Sequence, residues 1–294
     1  MDLRMPDFLI IGAMKAGTTS LFKWLNAHSR CSLPAKEPNF FCDDAWRQRM
    51  RHYSDLFAGI PAALSTGEAS HLYTAPRFAQ RAARRIHETL PDAKLVFVAR
   101  EPVSRLRSSY RHEVQRGREK LRLPEAVASG KYVGKSEYFR CLSPHLERFS
   151  RRQILVVTSE ELFAPPYSGW RQVLAHLEVP YEEPLGIAFN VTEKKAQFRP
   201  ATHWLWRRGW LPTGRFPEPV RRLGKRILLK KDASYEELMR SSREPLPTSL
   251  IERLEEDSRK LELWLGRTLW TNVEAPATKS VLTRLVLRDP HPSA

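Results

Sequence analysis

Three cysteines in 294 residues, Cys31, Cys42 and Cys141, are too few, and odd in number, for a disulfide framework, and their spacing is not that of a zinc site. They read as packing residues of a chain kept in a reducing compartment. No stretch reaches the ~20 consecutive apolar residues of a membrane-spanning helix. The N-terminal run Phe8–Ala13 is shorter than a secretory h-region and lacks a basic lead and a cleavage site, so it reads as a core strand. Acidic residues are in deficit: Lys and Arg number 49 against 33 Asp and Glu, a net charge of +16. That balance suits an anionic partner, whether nucleotide, nucleic acid, acidic glycan or anionic membrane surface, and does not choose among them. There is no internal repeat and no low-complexity tract. A hydrophobic content of 41% over this length is enough for a sizeable core in one large or two small domains.

Against these absences stands one dense segment, Asp7-Phe8-Leu9-Ile10-Ile11-Gly12-Ala13-Met14-Lys15-Ala16-Gly17-Thr18-Thr19-Ser20-Leu21. It reads as a buried strand, a glycine-bounded turn and a helix start. Such a turn directs backbone N–H groups and the positive end of a helix dipole at an anion. A Walker A loop runs G-x-x-x-x-G-K-[ST]. Here Gly12 and Gly17 keep the glycine spacing, but Thr18 occupies the lysine position and the lysine comes earlier, at Lys15. About eighty residues on, Lys94–Ala99 is a short apolar run of strand type. Where a P-loop NTPase places an Asp that helps hold Mg²⁺ near such a strand, this one is followed by Arg100, which cannot ligate a metal but can grip a phosphate through two N–H groups. The pair describes a nucleotide site built from cations and amides, with no metal expected. Glu101-Pro102 then starts a helix, with Val103, Leu106, Tyr110 and Val114 at helical spacing and Ser108 about two turns in.

The rest of the pattern alternates. Leu21, Phe22, Trp24 and Leu25 give the first helix an apolar face. Residues 30–44, with Pro34 and Pro38, read as irregular, and Ser65–Ser70 as a short strand. Pro76 opens a helix with Phe78, Ala82, Ile86 and Leu90 on one stripe. Residues 117–134 read as a charged connection, a helix is expected around Pro144–Phe149, a strand over Gln153–Thr158 and a helix over Thr248–Leu265. Apolar strands between helices predict an α/β fold with a mostly parallel sheet flanked by helices. Ligands of such sheets bind at the carboxyl ends of the strands, just where Lys15 and Arg100 fall.

Lys15-Ala16-Gly17-Thr18-Thr19-Ser20-Leu21 resembles the 5′-phosphosulfate loop of the sulfotransferase family, and Arg100, seven intervening residues and Ser108 resemble its 3′-phosphate motif. The resemblance spans residues 6–160 by motif and reaches about Trp270 by layout. It implies a P-loop-like fold and transfer of a sulfuryl group from 3′-phosphoadenosine 5′-phosphosulfate (PAPS) to a hydroxyl or amine, leaving 3′-phosphoadenosine 5′-phosphate (PAP). Carried over, Lys15 neutralises the phosphosulfate, Ala16, Gly17, Thr18, Thr19 and Ser20 bind the 5′-phosphate, and Arg100 and Ser108 bind the 3′-phosphate. Lys36-Glu37-Pro38-Asn39-Phe40-Phe41 resembles a segment of the glycan branch in which the Glu is the base, a role that falls on Glu37; Phe40 and Phe41 then pack to fix the loop. His71 is the alternative base, since the small-molecule branch uses a His. Gly67-Glu68-Ala69-Ser70-His71-Leu72-Tyr73 resembles a second glycan-branch segment, but Ala69 stands at its Lys position, which argues against a heparan-type acceptor; Glu68 reads equally as an acceptor contact or a structural group. Lys194, Lys195 and Arg199 lie where the family completes its cofactor site.

Residues 1–272 are thus expected to form the catalytic domain and 273–294 a tail. The basic aromatic stretch 203–231 is open to three readings: an acceptor lid, a surface against anionic lipid, or a solvated face. The implied acceptor is a carbohydrate, a glycolipid or another small hydroxylated molecule. The chain begins nearly at its first strand, which favours a cytoplasmic enzyme, with peripheral contact at the inner membrane face among the open readings. Two alternatives fit the motifs less well. A P-loop nucleotide kinase needs a lysine at position 18 and an acidic strand end near residue 100. A basic nucleic-acid-binding protein has no use for the ordered pair of phosphate motifs, so no nucleic acid is expected.

Overall fold

The computed structural model describes residues 4–185 and 233–270. Its strands are β1 (Phe8–Gly12), β2 (Cys31–Lys36), β3 (Ser65–Ala69), β4 (Lys94–Ala99) and β5 (Ile154–Thr158). The helices are α1 (Thr18–Ala27), α2 (Met50–Asp55), α3 (Ala79–Thr89), α4 (Pro102–Gln115), α5 (Leu123–Ala128), α6 (Tyr138–Leu146), α7 (Ser159–Phe163), α8 (Ser168–Leu177), α9 (Ala233–Ser241) and α10 (Thr248–Leu265). The five strands form one sheet in the order β2-β3-β1-β4-β5, and every pairing is parallel. β1 is buried at all of its residues, and β4 at all but its first, as strands covered on both faces must be. The chain runs from β1 to one edge of the sheet and later crosses to β4 on the other side. The strand order therefore reverses between β1 and β4, the place where such sheets hold ligands.

Three local expectations are corrected. Residues 31–36 of the segment read as irregular are the edge strand β2, with Cys31 and Leu33 buried and Lys36 paired to Ala69. Pro34 is tolerated because it lies on an edge, where the register also shifts between Ser32 and Ala35. Within the charged connection, α5 buries Leu123, Ala126 and Val127 against Tyr110, Val114 and Leu250. Six residues are too few to show a period, so only tertiary packing reveals this helix. The helix expected at Pro144 begins six residues earlier, driven by the buried stripe Tyr138, Cys141 and Leu142, and carries Pro144 near its end. α3 starts at Ala79, after a turn in which the Phe78 amide donates to the Ala75 carbonyl (2.7 Å). α10 spans Thr248–Leu265 as read.

The main core lies on both sides of the sheet, and a second apolar cluster sits under α4, α5, α9 and α10. The three thiols are free, with Cys31 and Cys141 buried, as packing residues should be. Among the described residues no helix is long and apolar enough to cross a membrane. Lys194, Lys195, Arg199, the stretch 203–231 and the tail 273–294 lie outside the described residues.

Trp170 on α8 anchors the flank beyond β5. It is 1% exposed, meets Trp24 of α1 edge-on at 5.6 Å, and its indole N–H donates to the Glu182 carbonyl (2.8 Å). Trp170→Ala is expected to lower the unfolding free energy by about 3–5 kcal/mol, read as a lower midpoint in urea denaturation with an unchanged slope.

Candidate active site

Strand register brings the two phosphate motifs together. β1 and β4 pair with Phe8 opposite Lys94 and Ile10 opposite Val96, and past the strand proper the Ala13 amide still donates to the Val98 carbonyl (2.8 Å). Lys15 follows Ala13 by two residues, and Arg100 follows Val98 by two. On the other side of β1, the Ser70 amide donates to the Ile10 carbonyl (3.0 Å) and the Glu37 amide to the Ala69 carbonyl (2.7 Å). The carboxyl ends of β2, β3, β1 and β4 thus carry Glu37, His71, Lys15 and Arg100 in that order along one edge.

The loop after β1 has the backbone of an anion cradle. Gly17, at φ 105, precedes α1, and a Cβ there would sit 2.4 Å from the Phe163 ring. Lys15 also has positive φ, 73. α1 has no side-chain cap and no acid in its first turn, so the positive end of its dipole is uncompensated by the chain's own carboxylates. An uncapped helix start of this kind is suited to an anion. Thr19 is half-exposed and can offer its hydroxyl outward. Ala16, Thr18 and Ser20 are buried, and the Ser20 amide donates to the Gly17 carbonyl (2.8 Å). Among the described residues no group of three or more His, Cys, Asp or Glu is arranged to hold a metal ion.

Arg100 is half-buried at the end of β4. The Tyr138 hydroxyl grips its backbone, donating to the Arg100 carbonyl (2.7 Å) and accepting from the Arg100 amide (3.3 Å). Glu101 caps α4, its carboxylate accepting from the amides of Val103 (2.7 Å) and Ser104 (2.6 Å). The α4 terminus is thereby satisfied internally, and Arg100 supplies the positive charge there. Ser108 lies on the buried side of α4, 2% exposed.

The two candidate bases are in contact. His71 Nδ1 lies 2.6 Å from Glu37 Oε2, and Lys36 Nζ lies 3.0 Å from Glu37 Oε1. Burial pushes the Glu37 carboxyl up, but the hydrogen bond and charge of His71, with the Lys36 ammonium, outweigh it and hold the group below the ordinary carboxylate range. Glu37 is therefore an ionised carboxylate held against an imidazole at the edge of the cradle.

A buried polar chain holds Glu37 in place. Glu68 is fully buried and accepts from the hydroxyls of Tyr73 (2.5 Å) and Ser70 (2.8 Å), with Tyr53 at 3.4 Å. Ser70 Oγ accepts from the Asn39 amide (3.0 Å), and the Asn39 side chain donates to the Glu37 carbonyl (2.8 Å). Phe40 stacks on Tyr53 at 4.0 Å, and Phe41 is fully buried, so both phenylalanines pack as read. Of the two readings of Glu68, burial selects the structural one. The sequence alone does not point to Asn39, Ser70, Tyr53 and Tyr138 as supporting groups: the short polar stretch around Glu68 is the one local signal, and the contacts of Asn39 with Ser70, Tyr53 with Glu68 and Tyr138 with Arg100 span 31, 15 and 38 residues.

Burial pushes the Glu68 carboxyl up to about 7, against the opposing hydrogen bonds of Tyr73 and Ser70. The folded chain thus holds a proton that the unfolded chain releases at lower pH. Stability is highest below the unfolded carboxylate pKa and falls as pH rises through it to about 7. Glu68→Gln removes that titration. Urea denaturation at pH 4 and pH 8 should show the variant gaining on the wild type by up to roughly 3 kcal/mol at the higher pH.

A sequence profile described as the sulfotransferase family matches residues 67–183, a span holding Arg100, Ser108 and Tyr138 but not the Lys15 loop or Glu37. The chain is 26% identical over 205 residues to heparan sulfate glucosamine 3-O-sulfotransferase 3B1 of Mus musculus, covering 66% of this chain and 50% of that protein. It is 36% identical over 107 residues to heparan sulfate glucosamine 3-O-sulfotransferase 6 of Homo sapiens, 36% of this chain and 30% of that one. The chain thus spans about half the length, or less, of these curated relatives. In three dimensions it is similar to a sulfotransferase from Alicyclobacillus acidocaldarius, with a TM-score of 0.60, 23% identity, and coverage of 90% of this chain and 97% of the other, a likeness of fold.

Proposed function

We propose that this chain, which belongs to the sulfotransferase family, transfers a sulfuryl group from PAPS to a hydroxyl of a carbohydrate or another small acceptor. The observation that carries the reading is the single edge on which Glu37, paired with His71 at 2.6 Å, precedes Lys15 and Arg100 across adjacent parallel strands. In this reading the Gly17–Thr19 turn and Lys15 receive the 5′-phosphosulfate, and Arg100 with Ser108 receives the 3′-phosphate. Lys194, Lys195 and Arg199 complete that end. The acceptor oxygen forms a bond to sulfur as the bond from sulfur to the bridging oxygen breaks. The acceptor proton passes to the Glu37 carboxylate, and the electron pair stays on the 5′-phosphate of PAP. Lys15 offsets the charge that develops on the bridging oxygen. His71 and Lys36 orient Glu37 and keep it ionised until the proton arrives.

The transfer is metal-independent in this proposal, because Arg100 stands where a metal-binding acid would be needed. Ala69, 1% exposed, in place of a lysine argues against a heparan-type acceptor and for a hydroxylated glycan, glycolipid or small molecule. Free thiols suit a reducing cytoplasm.

Calorimetric titration with PAP in EDTA tests the donor site. Binding without metal, weakened at least tenfold in Arg100→Ala, is expected; binding of ATP with Mg²⁺ and not of PAP would overturn the reading. Glu37→Gln should lower kcat by about 10²–10⁴-fold while leaving PAP affinity within twofold. A Glu37→Gln variant with unchanged turnover, alongside an inactive His71→Ala, would assign the base to His71 instead.

A further inference from the structure

Lys135 is a cation that the site described above does not use. It lies in the turn between α5 and α6, and its ammonium comes within 3.9 Å of the Met14 sulfur, one residue before Lys15. Together with Ala13, Met14, His71, Thr74 and Phe97 it lines a small cavity between the phosphate cradle and the residue that pairs with Glu37. Among the described residues no carboxylate lies within ion-pair distance of it, whereas its neighbour Lys131 pairs with Glu119 at 3.3 Å.

The turn is built to hold this lysine there. Arg105, fully buried in α4, donates from Nε to Ser136 Oγ (2.7 Å) and from Nη2 to the Tyr132 carbonyl (2.5 Å). Ser136 donates in turn to the Pro102 carbonyl (2.9 Å), and two residues on Tyr138 grips the backbone of Arg100. The segment 132–138 is thus clamped to the start of the helix that carries the 3′-phosphate motif. Burial and the nearby Arg105 charge both push the Lys135 ammonium down from its ordinary value, against weaker support from Glu113. A half-buried ammonium with another cation close by, and among the described residues no carboxylate within ion-pair distance, gains from an arriving anion.

We propose that Lys135 binds the sulfonate of the bound donor, as a second cation beside Lys15. This rests on the donor reading above. The sulfonate is favoured over the 3′-phosphate because Lys135 shares its cavity with Met14, next to Lys15, and with His71, the partner of Glu37, while Arg100 and Ser108 do not line it. The ammonium would donate to sulfuryl oxygens, which keep their charge as the group moves from the bridging oxygen to the acceptor. It would therefore hold the group in line without taking up or giving up a proton.

PAPS carries the sulfonate and PAP does not, so the two nucleotides separate this role from any other. Titrations without acceptor would compare the wild type, Lys135→Met and Lys135→Arg. Lys135→Met is expected to weaken PAPS at least tenfold and PAP by less than twofold, with Lys135→Arg recovering most of the loss. Equal losses for both nucleotides, or none for either, would overturn the inference, because the lysine would then act on the phosphates or on nothing bound. Should Lys135→Met be unfolded by circular dichroism, Lys135→Gln is read in its place by the same criterion. A wild type that binds PAP but gains nothing from the sulfonate would overturn the role of Lys135 alone. A wild type that binds neither nucleotide would overturn the donor reading and this inference with it.

Discussion

Parallel pairing of β1 with β4 is the constraint on which the site depends. Two strands that run side by side in the same direction deliver the residues just past their ends to one edge of the sheet. The hydrogen bond from the Ala13 amide to the Val98 carbonyl (2.8 Å) extends that pairing into the cradle, so the backbone of the turn is tied to the backbone that leads to Arg100. A slip of one residue would turn Lys15 and Arg100 away from each other along with every side chain of the strand. With β1 buried on both faces, such a slip would exchange side chains between two packed layers and disrupt both.

Polar support is layered behind this edge. Nearest the proposed chemistry, Lys15, Glu37, His71 and Arg100 are each half-exposed. Behind them lie groups drawn into hydrogen bonds that reach across the fold. Glu68 reaches Glu37 through Ser70 and Asn39, and Tyr138 holds the backbone of Arg100. Arg105 pins the turn that presents Lys135. Such groups act by fixing the positions of others. Their own titration is shifted by burial, which raises Glu68 to about 7 and pushes the Tyr138 hydroxyl well up, while the half-exposed Glu37 is held below the ordinary carboxylate range by its bonds to His71 and Lys36.

The excess of positive charge has a local meaning as well as a global one. Much of it is solvated or paired on the surface, as with Arg4 and Asp7 or Lys260 and Glu256, and such pairs contribute little to stability. The cations along the carboxyl edge differ in being held by the fold near an uncapped helix start. There the dipole of α1 and the side chains act in the same direction, and an anion gains from both.

The amino-acid sequence by itself determined the parallel α/β sheet, the placement of its apolar strands, the length of α10 and the two phosphate motifs, because strand burial, helix periodicity and glycine spacing are local properties readable within a few residues. It also offered Glu37 and His71, but as alternatives. Only the tertiary structure decided that they form one pair, that Glu68 is structural, that residues 31–36 are a strand and that 123–128 are a helix. It alone brought Lys135, Arg105 and Tyr138 to the edge. Each of these rests on contacts between residues far apart in the chain, such as Glu37 with His71 or Arg100 with Tyr138. No local pattern encodes which distant partner a half-buried charge or a buried hydroxyl will meet; parallel register and core packing do.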